Sequence, residues 1–225
     1  MESTQIIEDA KKYFGKNRSL LKKRVLSFKI DGSEYRKLHK QLKSLTSQPF
    51  DLRYLIFDDV IDWIKEKKFS EIDWHWLGDL SWKIDILLNE GVGKGYDWDK
   101  KLALKCNGTA KILRLYISDV IPCFVIDTCY MTYSKKENYY EFGPIIKLSN
   151  SEKQLVNQIK SFFKNQSLTF IDKKTALTNH PELYSDCNSD GNVTFFDAVF
   201  CDTSNYQDEI IRFNDNDIFD QTGKK

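Results

Sequence analysis

Histidine is scarce in this chain, and the residue patterns of common catalytic centres are missing. Only three histidines occur in 225 residues. The sequence lacks the HExxH pattern of zinc peptidases, the CxxC pattern of zinc sites and the GxSxG pattern of serine hydrolases. The glycine-rich run 91–95 lacks the GxxxxGK spacing of a phosphate loop, so a plain loop is predicted there. These absences favour a non-catalytic protein.

Long apolar runs are also missing. No stretch reaches the length of about 18 apolar residues that crosses a membrane, and the first residues lack the apolar core of a secretory signal. The cysteines are odd in number and irregularly spaced, which argues against a disulfide framework. We therefore expect reduced thiols and a cytoplasmic protein. A catalytic cysteine stays possible if a histidine lies nearby. The five cysteines are Cys106, Cys123, Cys129, Cys187 and Cys201.

Charge is balanced overall but unevenly placed. The chain carries a net charge of +1, whereas residues 1–50 carry +7 and residues 181–225 carry −7. The two ends either pair in the fold or present opposite surfaces to partners. Nucleic-acid binding is not expected, because the basic end lacks interleaved aromatic residues.

The order of helical and strand-like patterns predicts an α+β fold. We expect a helix-rich N-terminal half, followed by an antiparallel β meander with a packing helix in the C-terminal half. The simplest organisation is one compact domain over residues 1–225. A possible subdivision has a helical part at 1–90 and a mainly β part at 100–213, with the glycine run near 91–95 as the boundary.

The first half is predicted to contain a strand at 24–30 and a helix at 33–45, and two further segments are predicted to be helices. Residues 52–68 show apolar residues at helical spacing, with Asp58, Asp59 and Asp62 outside the apolar stripe. The tryptophan-rich segment 73–88 is predicted to be a second helix. It begins with Asp73-Trp74-His75-Trp76, where an exposed tryptophan would suit partner binding.

Strand patterns dominate the middle of the chain. Segments 110–117, 121–133 and 138–148 are rich in Ile, Val, Phe and Tyr and predict the antiparallel meander. Asp127 lies inside the second segment, so it is either on a solvated face or buried and functional. Ser149-Asn150-Ser151-Glu152 is a capping-box pattern that predicts a helix to about Lys164.

The strongest local pattern is the twelve-residue segment Asp186–Asp197. Side-chain oxygens stand at positions 1, 3, 5 and 12, and Gly191 stands at position 6. A hard cation needs such converging oxygens, and the glycine allows a sharp bend. The alternative is a hairpin turn at Asn188–Asn192, followed by a buried strand over 193–200. A bound cation would instead require residues 193–200 to be helical.

This segment resembles an EF-hand calcium loop, and more closely the calcium loop of dockerin modules. The resemblance covers only these twelve residues. It implies a calcium site in which the closing ligand, Asp197, is shorter than the Glu of an EF-hand. The shorter side chain favours a weaker site or a smaller ion. The implied ligands are the side chains of Asp186, Asn188, Asp190 and Asp197 and the carbonyl of Asn192.

Three functions are compatible with these features. The general character of the chain resembles the cytosolic immunity proteins of bacterial toxin systems, which implies non-catalytic inhibition of a toxin-like protein partner. A metal-dependent enzyme acting on phosphate esters is the first alternative. A calcium-stabilised structural or adaptor module is the second. The inhibitor would use an acidic and aromatic face formed by Asp58, Asp59, Asp62, Trp74 and Trp76. The enzyme would use Asp127, Asp197 and Asp202.

Overall fold

The structure is a computed structural model, and it describes a little over half of the chain. The described residues are 3–14, 66, 70–77, 81–89, 92, 100–118, 121–183, 185, 192–200 and 210–214. These residues are about 36% helix and 38% strand. Seven strands are present among them: β1 (Ser70–Leu77), β2 (Ser81–Leu87), β3 (Thr109–Ser118), β4 (Cys123–Ser134), β5 (Tyr139–Pro144), β6 (Thr169–Ile171) and β7 (Ile211–Asn214).

Five helices accompany the strands in the described part of the chain. They are α1 (Ser3–Phe14), α2 (Lys100–Lys105), α3 (Asn150–Asn165), α4 (Lys173–Ala176) and α5 (Phe195–Phe200). No helix among the described residues is long and apolar enough to cross a membrane.

The strands form one sheet with the order β1-β2-β3-β4-β5-β7, in which all neighbours are antiparallel. β6 lies off this path and pairs with β4 in parallel orientation. β2 and β3 flank the glycine run 91–95 in the sequence, yet they pair directly with each other. The predicted meander is confirmed as β3, β4 and β5.

The predicted capping box is confirmed at the start of α3. The Ser149 hydroxyl accepts a hydrogen bond from the backbone N–H of Glu152, and the Glu152 carboxylate accepts one from the backbone N–H of Ser149. The helix buries Leu155, Ile159 and Phe163 on one side. Helical spacing of these apolar residues therefore gives α3 one face that packs on the sheet.

The predicted fold class, with its helix-rich N-terminal half, is wrong. Residues 73–77 belong to β1 and residues 81–87 form β2, where a helix was predicted over 73–88. Helix and strand occur in nearly equal amounts in the described residues. The predicted strand at 24–30 and helix at 33–45 lie outside the described residues. The same is true of the predicted helix 52–68, except Glu66, which is helical.

The sheet buries side chains on both faces. One face, here called the α3 face, packs Leu113, Leu115 and Phe124 against α3. The opposite face, here called the α5 face, carries two apolar clusters. The first cluster packs Tyr116 and Val125 with residues of α1, α4 and α5. The second packs Ile112, Cys129 and Met131 with α2.

Candidate functional site

The exit of the 186–197 segment is helical. α5 begins at Phe195, the tenth position of the twelve-residue segment. The Asp197 carboxylate oxygen Oδ2 accepts from the backbone N–H of Thr194 at 2.9 Å, and the Thr194 hydroxyl accepts from the backbone N–H of Asp197 at 3.1 Å. This reciprocal pair has the pattern of a capping box. The alternative of a strand over 193–200 is therefore wrong.

Ser185, the residue before the segment, lies beside Asp197, the last residue of the segment. The hydroxyl of Ser185, the residue before the first loop position, donates a hydrogen bond to the carbonyl of Asp197 at 2.7 Å. Ser185 is buried there. The residue that precedes the loop is thus joined to the last residue of the loop by a direct contact.

Residues 193–195, where the chain enters α5, are also held by a second part of the chain. The backbone N–H of His180 donates to the carbonyl of Val193 at 2.8 Å, and the backbone N–H of Phe195 donates to the carbonyl of Thr178 at 3.2 Å. An isolated antiparallel bridge joins Asn179 to Thr194. Residues 178–180 therefore hold the backbone just before α5.

Two of the five implied cation ligands lie in the described residues. The Asn192 side-chain oxygen accepts a hydrogen bond from the Asn179 side-chain amide at 3.3 Å, whereas the resemblance assigns the ligand role to the main-chain carbonyl of Asn192. Asp197 accepts through Oδ2, and a carboxylate has acceptor capacity for more than one bond. Asp186, Asn188 and Asp190 lie outside the described residues. Within the described part of the chain, no three His, Cys, Asp or Glu residues are grouped to hold a metal ion.

The predicted partner-binding tryptophans lie on β1, which is an outer strand of the described sheet. In the pairing with β2, Trp74 is opposite Ile84 and Trp76 is opposite Trp82. The register shifts between Glu71 and Asp73, and such irregularities are common at sheet edges. The three acidic residues assigned to the same face, Asp58, Asp59 and Asp62, lie outside the described residues.

Asp127 belongs to a buried row of charges that crosses three strands. The pairing aligns Asp85 of β2 with Arg114 of β3, and Arg114 with Asp127 of β4. Asp85, Arg114 and Asp127 are 1%, 2% and 4% exposed. The guanidinium Nε of Arg114 donates to Asp85 at 3.0 Å. The ammonium of Lys173, from α4, donates to Asp127 at 3.3 Å.

The row lies on the α5 face, between the two apolar clusters. Burial raises the pKa of Asp127 above its ordinary value, although the Lys173 charge opposes that shift. Burial is the largest single influence on Arg114 and disfavours its charge, but the surrounding groups, led by the Asp85 carboxylate, together outweigh it, so the pKa of Arg114 is raised. The row pairs two carboxylates with two cationic side chains. Burial of charged groups is less costly when each has an oppositely charged partner. The row fits an ion-pair network better than a proton-transfer site.

The other predicted catalytic groups are engaged elsewhere or lie outside the described residues. Asp197 caps α5, and Asp202 is not among the described residues. Burial raises the pKa of the Cys129 thiol to about 12, so its nucleophilic thiolate form is disfavoured at neutral pH. Cys106 and Cys123 are also buried and free.

The sequence analysis missed three residues that make the contacts described above: Arg114, Lys173 and Ser185. Arg114 interrupts the apolar run Ile112–Ile117, and that interruption is a usable signal for a buried charge. Thr194 and Asp197 have the spacing of a capping box, which predicts a helix start. No local signal pairs Lys173 with Asp127, because the two are 46 residues apart.

Comparison of the chain with protein-family models, with curated proteins and with solved structures finds no match. The proposals below therefore depend on the residues and contacts of this chain.

Proposed function

We propose that this protein is a calcium-binding module, in which the 186–197 loop holds one divalent cation and stabilises the fold around α5. The contact between Ser185 and Asp197 carries this proposal, since it closes the loop at the two positions that flank a bound ion. The helical start at Phe195 supports it further. A hairpin turn followed by a strand would not have had the helical start at Phe195.

The role of each ligand follows from the chemistry of a hard cation. Asp186, Asn188 and Asp190 would supply side-chain oxygens from the first half of the loop, and Asn192 its carbonyl. Asp197 would close the shell from the first turn of α5. Three carboxylates in one short loop repel one another, and a divalent ion removes that repulsion. The ion thus supplies folding energy to the loop.

Calorimetric titration of the chelator-treated full chain with calcium tests the proposal. Asp190→Asn removes one ligand charge with little change in shape. Glu66→Gln is the matched control, because Glu66 is exposed and lies outside the loop. We expect saturable binding in the wild type and in Glu66→Gln, and binding weakened at least about tenfold in Asp190→Asn, a change of about 1.4 kcal/mol. No saturable heat at millimolar calcium would refute the proposal.

Inhibition of a toxin-like protein partner is a second candidate function. The observation that favours it is the position of β1, which pairs only with β2 among the described strands. An outer strand can accept a strand from a partner, and aromatic residues are frequent anchors of interfaces. Trp74 and Trp76 stand two residues apart on this strand.

Affinity capture from the host, followed by calorimetry with the purified partner, tests this second function. Trp76→Ala should weaken binding at least about 30-fold if Trp76 is an anchor, which corresponds to about 2 kcal/mol. Trp98→Ala is the control, since Trp98 lies outside β1. Circular dichroism of both variants checks that the fold is kept. Equal affinity of Trp76→Ala and the wild type would remove β1 from the interface.

A further inference from the structure

The chain contains a single Asn-Gly step, Asn107-Gly108, and it lies just after α2. Asn107 has a φ of 56° and Gly108 a φ of 90°, so both residues adopt the left-handed region of the backbone. Glycine enters that region without strain, and asparagine tolerates it better than most residues. The two residues thereby end α2 and turn the chain into β3, and Asn107 is exposed to solvent.

An Asn-Gly step can modify itself, because glycine has no side chain to keep its backbone nitrogen away from the asparagine amide. The Gly108 nitrogen loses its proton and attacks Cγ, the carbonyl carbon of the Asn107 side chain. The new N–Cγ bond closes a five-membered succinimide ring, the Cγ–Nδ2 bond breaks, and Nδ2 leaves as ammonia. Water then adds to one of the two ring carbonyls, which gives aspartate or isoaspartate. The net change replaces an NH₂ group by OH and needs no oxidant or reductant.

Three backbone hydrogen bonds oppose this reaction in the folded chain. The N–H of Gly108 donates to the carbonyl of Ala103 at 2.7 Å. In the next peptide unit, the Gly108 carbonyl accepts from the backbone N–H of Tyr133 at 3.1 Å, and the Thr109 N–H donates to the carbonyl of Cys106 at 3.2 Å. The first bond holds the proton that the attacking nitrogen must lose, and the other two fix the peptide plane that follows it. The nitrogen therefore becomes reactive only when these bonds open.

The buried side of α2 keeps the acceptor of the first bond in place. Leu102 and Ala103 are fully buried in the second cluster of the α5 face, together with Cys106. Leu104, on the same helix, is 48% exposed. Release of α2 from the cluster would therefore remove the Ala103 carbonyl from the Gly108 N–H.

We propose that Asn107 is a modification site whose deamidation is controlled by the docking of α2. Docked α2 preserves the asparagine, and each opening of α2 exposes it to the reaction. Because ammonia is lost, the product does not revert. Isoaspartate also adds a methylene group to the main chain before Gly108, so the bond to the Ala103 carbonyl no longer forms in the same register. Each deamidated molecule thus remains marked as one in which α2 has opened.

Incubation of the full chain at mildly alkaline pH, followed by tryptic digestion and mass spectrometry, gives the first test. Trypsin cuts after lysine and releases residues 106–111 as one peptide. We expect Asn107 to deamidate at least about tenfold faster in guanidinium than in the native chain, since the native reaction requires local opening. Asn138 is the internal reference, because it is also exposed, with a φ of 51°, but is followed by Tyr139. Equal native and denatured rates at Asn107, or a denatured rate no higher than that of Asn138, would overturn the proposal.

Two leucine substitutions in α2 give the second test. Leu102→Ala removes a fully buried side chain, whereas Leu104→Ala makes the same change at a side chain that is 48% exposed. We expect native deamidation of Asn107 to rise at least about fivefold in Leu102→Ala and to stay near the wild-type rate in Leu104→Ala. Equal rates in the two variants would refute control by α2 docking.

A third variant separates the opening of α2 from unfolding of the whole chain. Leu155→Ala removes a buried side chain of α3 from the opposite face of the sheet. We expect it to leave native deamidation of Asn107 well below the rate in Leu102→Ala, while circular dichroism shows that both variants are folded. An equal rise in the two variants would mean that global unfolding exposes Asn107, and the proposed control by α2 would be wrong.

Discussion

The buried row of charges makes a strong prediction for Arg114→Met. The substitution keeps a side chain of similar length but leaves Asp85, which is 1% exposed, without its guanidinium partner. Removing one member of a buried ion pair typically destabilises a protein by about 3–5 kcal/mol. If the free energy of unfolding falls by about 2 kcal/mol per molar urea, the urea concentration at the unfolding midpoint should fall by about 1.5–2.5 M.

Arg212→Met is the matched control for this prediction. Arg212 also contacts a carboxylate through Nε, that of Glu141 at 2.7 Å, but its side chain is 67% exposed. Exposed pairs contribute at most about 1 kcal/mol, so the midpoint should move by no more than about 0.5 M. Urea unfolding followed by circular dichroism measures both variants. Equal midpoints for the two variants would contradict the reasoning.

A double substitution separates the lost pair from lost packing. In Arg114→Met combined with Asp85→Leu, no carboxylate is left behind at the Asp85 position. Apolar replacement of a whole buried pair is often neutral or stabilising. We therefore expect the double variant to recover most of the stability that Arg114→Met loses. A double variant as unstable as Arg114→Met would show that packing around Arg114 dominates.

Three further predictions concern single residues. Because burial raises the pKa of Asp127, the folded protein keeps that proton to higher pH than the unfolded chain does. Stability of the wild type relative to Asp127→Asn should therefore fall as pH rises from about 4 through the raised pKa, as urea midpoints at several pH values would show. Ser149→Ala removes the cap of α3 and should lower the unfolding free energy by about 1 kcal/mol, measured the same way. Gly143→Ala would place a Cβ 2.8 Å from the Tyr130 hydroxyl oxygen and should destabilise by about 1–3 kcal/mol.

Each of these predictions has a contradicting outcome. Parallel pH profiles of wild type and Asp127→Asn would mean that Asp127 titrates normally in the folded protein. An unchanged midpoint for Ser149→Ala would mean that α3 is held by its apolar face alone. Gly143→Ala should be nearly harmless in a Tyr130→Ala background, since the crowding ring is then gone. Equal losses in both backgrounds would point to a backbone effect.

Local patterns predicted α3 and the strands β3 to β5 because their determinants are local. The capping box at Ser149 and the helical spacing of Leu155 and Ile159 lie within one segment. The Ile, Val, Phe and Tyr runs of the meander likewise need no distant partner to be recognised.

The error at residues 73–88 came from assigning the wrong period. Trp74 and Trp76 alternate with polar residues, and so do Trp82, Ile84 and Ile86. Apolar residues at every second position are the signature of a strand. The tryptophans obscured this, because they are compatible with an amphipathic helix when taken singly. Asp85 shows the limit of the strand pattern too, since alternation alone would have assigned it to a solvated face, yet it is buried.

The candidate site was only partly predictable. The oxygen-rich spacing of Asp186–Asp197 is visible in the sequence, and so is the glycine within it. Its closure by Ser185 and its support by residues 178–180 depend on contacts formed in the folded chain. The row at Arg114 likewise combines three strands and a helix, so no single segment contains its pattern.

The charged row also determines which strand alignments are possible. A slip of β3 by one residue would turn its apolar set to the wrong face, and hydrophobic patterning alone prevents this. A slip by two residues keeps every side chain on its own face, so hydrophobicity does not oppose it. Such a slip would place Ile112 or Tyr116 opposite Asp85 and Asp127, in place of Arg114. Two buried carboxylates would then lose their neighbour at once, so the row selects one alignment among those that the apolar pattern permits.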